Sequence, residues 1–545
     1  MKQTEQASFS YLLDGVTVRP GEGAERVQDL AEEAMKRAGI DTRSLHFRLF
    51  KRSVDARRRN DIRLVCTVLV TSPGRLPEQL CRRAGLKPLA DGRPEILHGT
   101  APMPAPPLVV GMGPAGLFAA LLLAENGYRP ILLDRGDPVA ERVRRVALFR
   151  ETGVLDPESN IQFGAGGAGT FSDGKLVTRI HDSRCRYVLE TLHRFGAPDE
   201  ILTLAKPHIG TDVLRQVVER ILGEIARLGG SVRYRCRVDE IRECADGTVT
   251  AVTPDGGIGC GAMVLAIGHS AHDLYGQLIS GGYAVEAKPM SVGVRIEHRQ
   301  ADIDRALYGD FAGHPDLGHA EYALSDTRRA RGVYTFCMCP GGEVVAAASD
   351  AGRLVTNGMS NFARDGANAN AAVLVSVGLQ DYAPVGGSLA LGAMEYQARL
   401  EHAAFRAGGG DWCAPVMTVE DLLTGFRGSE PTDILPTYRG GRVRPADLAS
   451  VFPSEISDSL RYALRCFAGR IEGYDRASAI LTAAETRTSA PVRILRDPET
   501  LCALGHANLY PCGEGAGYAG GITSAAVDGM RAAQAIMSRF KPLEG

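Results

Sequence analysis

The chain has 545 residues, 44% of them hydrophobic and 23% charged, which suits several globular domains with real cores and excludes a disordered chain. Its 62 basic and 64 acidic residues leave a formal net charge of -2, so nucleic acid is not an expected partner. The longest apolar run, Ala115 to Ala124, is too short to span a bilayer, and no membrane association is expected.

The first residues, MKQTEQASFSYLLDG, lack a basic segment followed by a long apolar core, so the expectation is a cytoplasmic protein. The 12 cysteines include no CxxC pair, which argues for reduced thiols rather than a disulfide framework or a zinc ribbon, and no metal is expected.

Residues 1–98 read as a small α/β module. Val27, Leu30, Ala31, Ala34, Met35 and Ala38 recur at helical spacing, and Gly39 stands where a helix cap belongs. Two strand-like runs follow, 47–50 and 62–70, joined by the basic turn Lys51 to Asp61. That turn, with Arg57, Arg58 and Arg59, is either a grip for an anionic partner or a solvated hairpin tip. The stretch 99–107, GTAPMPAPP, is a linker, because proline lacks the amide donor and restricts its neighbour.

After the linker, VVGMGPAGLFAALLLAENGYRPILLD reads as strand, turn, helix, strand. Gly111, Gly113 and Gly116 occupy the G-x-G-x-x-G positions, serving the tight turn, the approach of a diphosphate and the packing of helix on strand. The helix N-terminus presents unpaired amides to phosphate. Asp134, 23 residues beyond Gly111, stands where an acid would bond ribose hydroxyls.

Two later segments separate FAD from NAD. Residues 231–261 alternate like a small β-meander, and AMVLAIG, ending at Gly268, reads as a buried strand after it. Residues 508–533, with Gly513, Glu514, Gly520 and Gly521 between a strand and a helix, bring the end of the chain back to the same cofactor. Both signals are similar to those of flavoproteins of the glutathione-reductase type. That likeness implies FAD, with Gly513 and Glu514 meeting the ribityl chain and the helix start facing the flavin. Only one good fingerprint is present, so a nicotinamide reductant would bind transiently on the substrate side, or electrons would come from a redox partner protein.

Four further groups are candidates for chemistry. Residues 160–179 carry five glycines between Gly164 and Gly174, with Asp173 and Lys175 as active-site candidates. Ser172-Asp173-Gly174 is similar to the Asp-Gly motif of aromatic hydroxylases but comes ahead of the meander, which counts against a flavin monooxygenase. In KPMSVGVRIEH, residues 288–298, alternation suggests a strand with one wet face, and Arg295 offers a bidentate fork to a carboxylate. Arg487 and Arg493 precede the last strand. Cys337 and Cys339 stand one residue apart before a Pro-Gly-Gly turn, free to relay electrons, hold a metal or pack. The cysteine pair spaced four apart of disulfide reductases is missing, so disulfide reduction by that route is not expected.

QFGAGGAGTFSDGKL, KPMSVGVRIEH, FCMCPGG, TNGMS, ETRTSAPVRI and LYPCGEGAGYAGGI together resemble a bacterial family of largely uncharacterised FAD-dependent dehydrogenases, over nearly the whole chain. The resemblance implies FAD contacts at Gly111, Gly113, Gly116, Asp134, Gly268, Gly513, Glu514 and Gly521, and no catalytic residue. The expected architecture is α/β: a doubly wound, Rossmann-like FAD-binding domain at 108–275 and 481–545, interrupted by a mixed α+β substrate domain at 276–480. The expected function is that of an FAD-dependent oxidoreductase moving a hydride between a small molecule and the flavin, with Lys175, Arg295 and Arg487 orienting the substrate. The alternatives are a flavin monooxygenase and an electron-transfer or RNA-associated flavoprotein that recruits its partner through the basic turn.

Overall fold

A computed structural model describes residues 9–89, 92–244 and 247–543. The first eight residues, on which the reading of the amino terminus partly rests, lie outside the described residues. The chain forms two compact units, one from residues 1–94, 181–208 and 301–320, the other from 95–180, 209–300 and 321–545.

The smaller unit carries a four-stranded antiparallel sheet in the order 46–55, 63–72, 9–18, 86–88. Arg63–Ser72 is central and alternates buried and half-buried residues. The helix Ala24–Arg37 lays Val27, Ala31 and Met35 on the sheet, and Gly39 follows it at φ +80°. The reading of Lys51–Asp61 as a turn is corrected: residues through Asp55 stay in the strand His46–Asp55, so the tip is shorter, and Arg57 there pairs with Asp55. Segments 181–208 and 301–320 pack in this unit although they lie far along the chain, an association that local sequence pattern does not carry.

In the larger unit, five parallel strands run in the order 509–511, 263–265, 108–110, 131–133, 231–233. Leu108, Val110, Leu133, Met263 and Leu265 pack with Tyr275 and Leu278 of the helix His272–Ser280 and with Ile241 and Val249 of a three-stranded meander. The fingerprint helix Pro114–Glu125 is buried from Ala115 through Ala124, as its uniformly apolar sequence requires. It packs on the C-terminal helix Ile522–Arg539 so closely that a Cβ on Gly529 would stand 2.0 Å from the Ala115 carbonyl oxygen. The fold is therefore a Rossmann-like α/β one. Ser231–Arg233 proves to be its edge strand rather than part of the meander.

A seven-stranded sheet follows the order 325–326, 333–339, 368–377, 290–299, 480–485, 414–418, 443–445. Met290–Arg299 is paired on both sides and buried on both faces except at Arg299, so the expected wet face is absent. Ile480–Glu485 lies inside this sheet, between Met290–Arg299 and Ala414–Thr418, so the sheet continues past the expected boundary at 480.

Candidate functional site

A cavity of about 370 Å³ opens in the larger unit at the carboxyl end of the parallel strands. The fingerprint turn and the first residues of Pro114–Glu125 form one side. Gly111 turns at φ +101°, and a Cβ there would stand 2.3 Å from the Ala266 carbonyl oxygen. A Cβ on Gly116 would stand 1.8 Å from the Gly111 oxygen, which is why strand and helix meet only through glycine. A Cβ on Gly113 would meet nothing nearer than 4.0 Å, so its place faces free space.

Asp134, expected to meet ribose hydroxyls, is engaged by the protein's own backbone. It accepts hydrogen bonds from the backbone N–H groups of Met112, Gly136 and Gly164, each at 2.9 Å, and so ties the fingerprint turn to the glycine-rich loop. Loop and turn touch directly, since a Cβ on Gly167, at φ +62°, would come 2.8 Å from the Gly113 Cα. Arg142, fully buried, donates to the carbonyls of Asn160, Ile161, Gly164 and Ala165 and holds the loop from behind.

The last strand delivers Gly513 and Glu514 to the same cavity. The Gly513 N–H donates to Asp528 at 2.8 Å, and Asp528 pairs with Arg496. Gly520 and Gly521, at the start of Ile522–Arg539, meet no neighbour within 4 Å of an added Cβ, nor does Gly268 across the cavity. Two helix N-termini thus present uncapped amides to one space bordered by glycine backbone. These features fit an elongated, diphosphate-bearing dinucleotide. Burial pushes the Glu514 carboxyl up to about 7, with Lys288 acting in the opposite direction.

Lys175, Cys337, Asn357 and Arg487 also line the cavity. Lys175 is half-buried, donates to the Met338 carbonyl and lies 3.6 Å from Asp173. Burial alone would lower its ammonium, but Glu321, the two thiols and Asp173 outweigh it and hold the lysine charged. Asp173, fully buried, receives Arg364, which also pairs with Glu321.

Arg295 is not available to a substrate. It is fully buried, grips Glu485 through Nε and Nη2 at 3.0 and 2.8 Å, and donates its remaining hydrogens to the Cys337 carbonyl, Asn370 and Asn357. The expected orienting role is corrected to that of a brace behind Cys337. Arg487 reaches the cavity wall but pairs with Glu401 at 2.9 Å and Asp350 at 2.8 Å. Arg493 stays off the wall, with its guanidinium over the Tyr518 ring.

His269 also lines the cavity and was missed, because the strand AMVLAIG was read only as far as its glycine. Burial, then the charges of Arg487 and His272, lower its imidazole to about 3, so it is neutral. The buried acids Glu401 and Glu485 were invisible locally, since Glu485 meets Arg295 from the neighbouring strand and Glu401 meets Arg487 from the helix Leu389–Ala407.

Residues 289–488 match the family model of the FAD-dependent protein, C-terminal domain-like, and residues 16–71 match a domain of unknown function. An uncharacterized protein of Clostridium beijerinckii is 45% identical over 499 residues, 90% of this chain and 92% of that one. The chain belongs to this family of FAD-dependent proteins. FAD is the cofactor of this flavoprotein. Among solved structures, CtdE in complex with FAD is 12% identical with a TM-score of 0.31, covering 79% of this chain and 83% of that one. FqzB is 13% identical with a TM-score of 0.33, covering 81% of this chain and 77% of that one. Among the described residues of the flavoprotein, no helix is long and apolar enough to cross a membrane.

Proposed function

We propose that the chain moves a hydride equivalent between an anionic small molecule and its flavin, with the substrate entering against the wall of Lys175. The observation that carries this reading is a charged lysine lining the same cavity as the glycine backbone and the two helix starts. When bound, FAD supplies the two-electron redox chemistry. Gly111, Gly113 and Gly116 would hold its diphosphate through the fingerprint turn, and Asp134 has a lone pair left for a ribose hydroxyl. Gly268, Gly513, Glu514 and Gly521 would border the ribityl and flavin end. Lys175 fixes the substrate's carboxylate or enolate oxygen by a charge-assisted hydrogen bond. Arg487 offers no free fork, since its guanidinium is paired with Asp350 and Glu401.

The test is anaerobic addition of NADPH to the FAD-loaded protein, followed at the flavin absorption band. Bleaching supports a nicotinamide as transient reductant. An unchanged band that bleaches with dithionite moves the electron source to a redox partner protein, and fast reoxidation by air would favour a monooxygenase.

A further inference from the structure

The strand Val333–Cys339 breaks register where it carries its two cysteines. Phe336 pairs with Ala372 and Cys339 with Asn370, so Cys337 and Met338 together oppose one residue, the arrangement of a β-bulge. Cys337 adopts φ +44°, a left-handed conformation uncommon outside glycine. The chain folds back there, and the sulfurs of Cys337 and Cys339 come within 3.9 Å instead of being strung out along a strand.

The bulge is held by two cations from other elements. Arg295 donates to the Cys337 carbonyl at 2.8 Å, and Lys175 donates to the Met338 carbonyl. Cys337 lines the flavin cavity, whereas Cys339 is fully buried behind it and donates to the Cys337 oxygen at 3.3 Å. Simple packing asks for none of this, and a metal would need ligands beyond two sulfurs; among the described residues no group of three or more metal-binding side chains exists.

We propose that Cys337 and Cys339 form a reversible dithiol–disulfide couple on the flavin cavity, with Cys337 attacking a small-molecule disulfide and Cys339 resolving the mixed disulfide. In the first step the Cys337 thiolate bonds to one sulfur of the substrate, the substrate's S–S bond breaks, and the departing thiolate takes a proton. In the second, Cys339 gives up its proton and bonds to the Cys337 sulfur, releasing the other half of the substrate as thiol. Two protein thiols are oxidised and one disulfide is reduced to two thiols. Resetting the pair takes two electrons and two protons, which a reduced flavin carries.

The acidities agree with these roles. The Cys339 S–H, followed by Arg295 and Lys175, holds the Cys337 thiol down to about 6 against its burial, while Cys339 is pushed well above the usual thiol range. The spacing differs from the pair of known disulfide reductases. The couple depends on the flavin reading for its reset alone, so thiol labelling tests it independently of any turnover.

The experiment treats the FAD-loaded protein with glutathione disulfide, quenches with acid, alkylates in denaturant and weighs the tryptic peptide 332–353, which holds Cys337 and Cys339 and no other cysteine. The wild-type peptide is expected to lose both labels and recover them after reduction. Cys339→Ser should trap glutathione on Cys337, and Cys337→Ser should leave Cys339 labelled, with oxidation slower by roughly tenfold or more. A wild-type peptide that stays doubly alkylated, or equal reaction of Cys339 in Cys337→Ser, would overturn the couple. Dithionite titration gives a second readout: the glutathione-oxidised wild type should take up about twice the electrons per flavin of Cys337→Ser, and equal uptake would remove the link to the flavin.

Discussion

The fingerprint part of the cavity is made of backbone, whereas the part around Lys175 and Arg487 is made of side chains. Along the fingerprint, Gly111, Gly113 and Gly116 act through what they lack, since the nearest neighbours of an added Cβ would be main-chain atoms of their own turn, strand and loop. Lys175 and Arg487 on the cavity, and Arg295 behind it, act through what they carry; Lys175 pairs with the neighbouring Asp173, whereas Arg295 and Arg487 are tied to acids from distant parts of the chain. At Gly111 and Gly116 the backbone cradle leaves no room for an added Cβ. A charged wall tolerates changes of volume but not of charge, because a buried ion left without its partner is costly.

The sharpest break of this contrast is Gly116→Val, whose Cβ would have to occupy the space of the Gly111 carbonyl. The purified variant should be colourless, with FAD retention down by about a hundredfold or more; a yellow variant would mean the turn has room that its geometry denies. Next is Arg295→Met, which strands Glu485 in the sheet. It should cost about 3–5 kcal/mol of stability, read as a lowered denaturation midpoint, because one charge of a buried pair is left alone. Lys175→Met should keep the flavin spectrum yet lower turnover by roughly tenfold to a hundredfold, the worth of a hydrogen bond to a charged group of about 1.5–3 kcal/mol.

Glu514 sharpens the comparison through pH. Its folded carboxyl titrates near 7 against the ordinary 4.5, so folding favours the protonated acid. Its contribution is fully present below 4.5 and lost as pH rises through 7. The cofactor-free protein should therefore melt lower across that window, and Glu514→Gln should flatten the slope; an unaltered slope would assign it to other groups. The smallest effect is expected from replacing Arg57, Arg58 and Arg59 together by serine. Turnover and FAD content should stay unchanged, with stability within about 0.5 kcal/mol as for exposed positions generally. Loss of electron delivery alone would revive the reading of the tip as a docking element.

The backbone cradle was legible because its signals are local. Glycine spacing, an apolar strand before the turn and an acid after the second strand lie within one short stretch, and strand, helix and strand formed there as read. Met290–Arg299 was misread because alternation normally marks a half-solvated strand, whereas here strands 368–377 and 480–485 flank it and both faces are covered. Arg295 and Glu297 are polar residues taken inside with their partners, Glu485 for the arginine and Thr437 and Asn368 for the glutamate.

The sequence by itself determined the α/β class, the glycine turn, the return of the last helix to the same cavity and the identity of the two neighbouring cysteines, since each depends on residues close together in the chain. Only the tertiary structure decided which cations remain on the cavity wall and which are consumed by ion pairs. It also decided that Cys337 faces the cavity with Cys339 behind it, and that segments 181–208 and 301–320 join the amino-terminal unit. The physical reason is that charge compensation and burial are set by contacts between residues far apart in the chain, such as Arg295 with Glu485 and Arg487 with Glu401, and no local pattern records which partner each will meet.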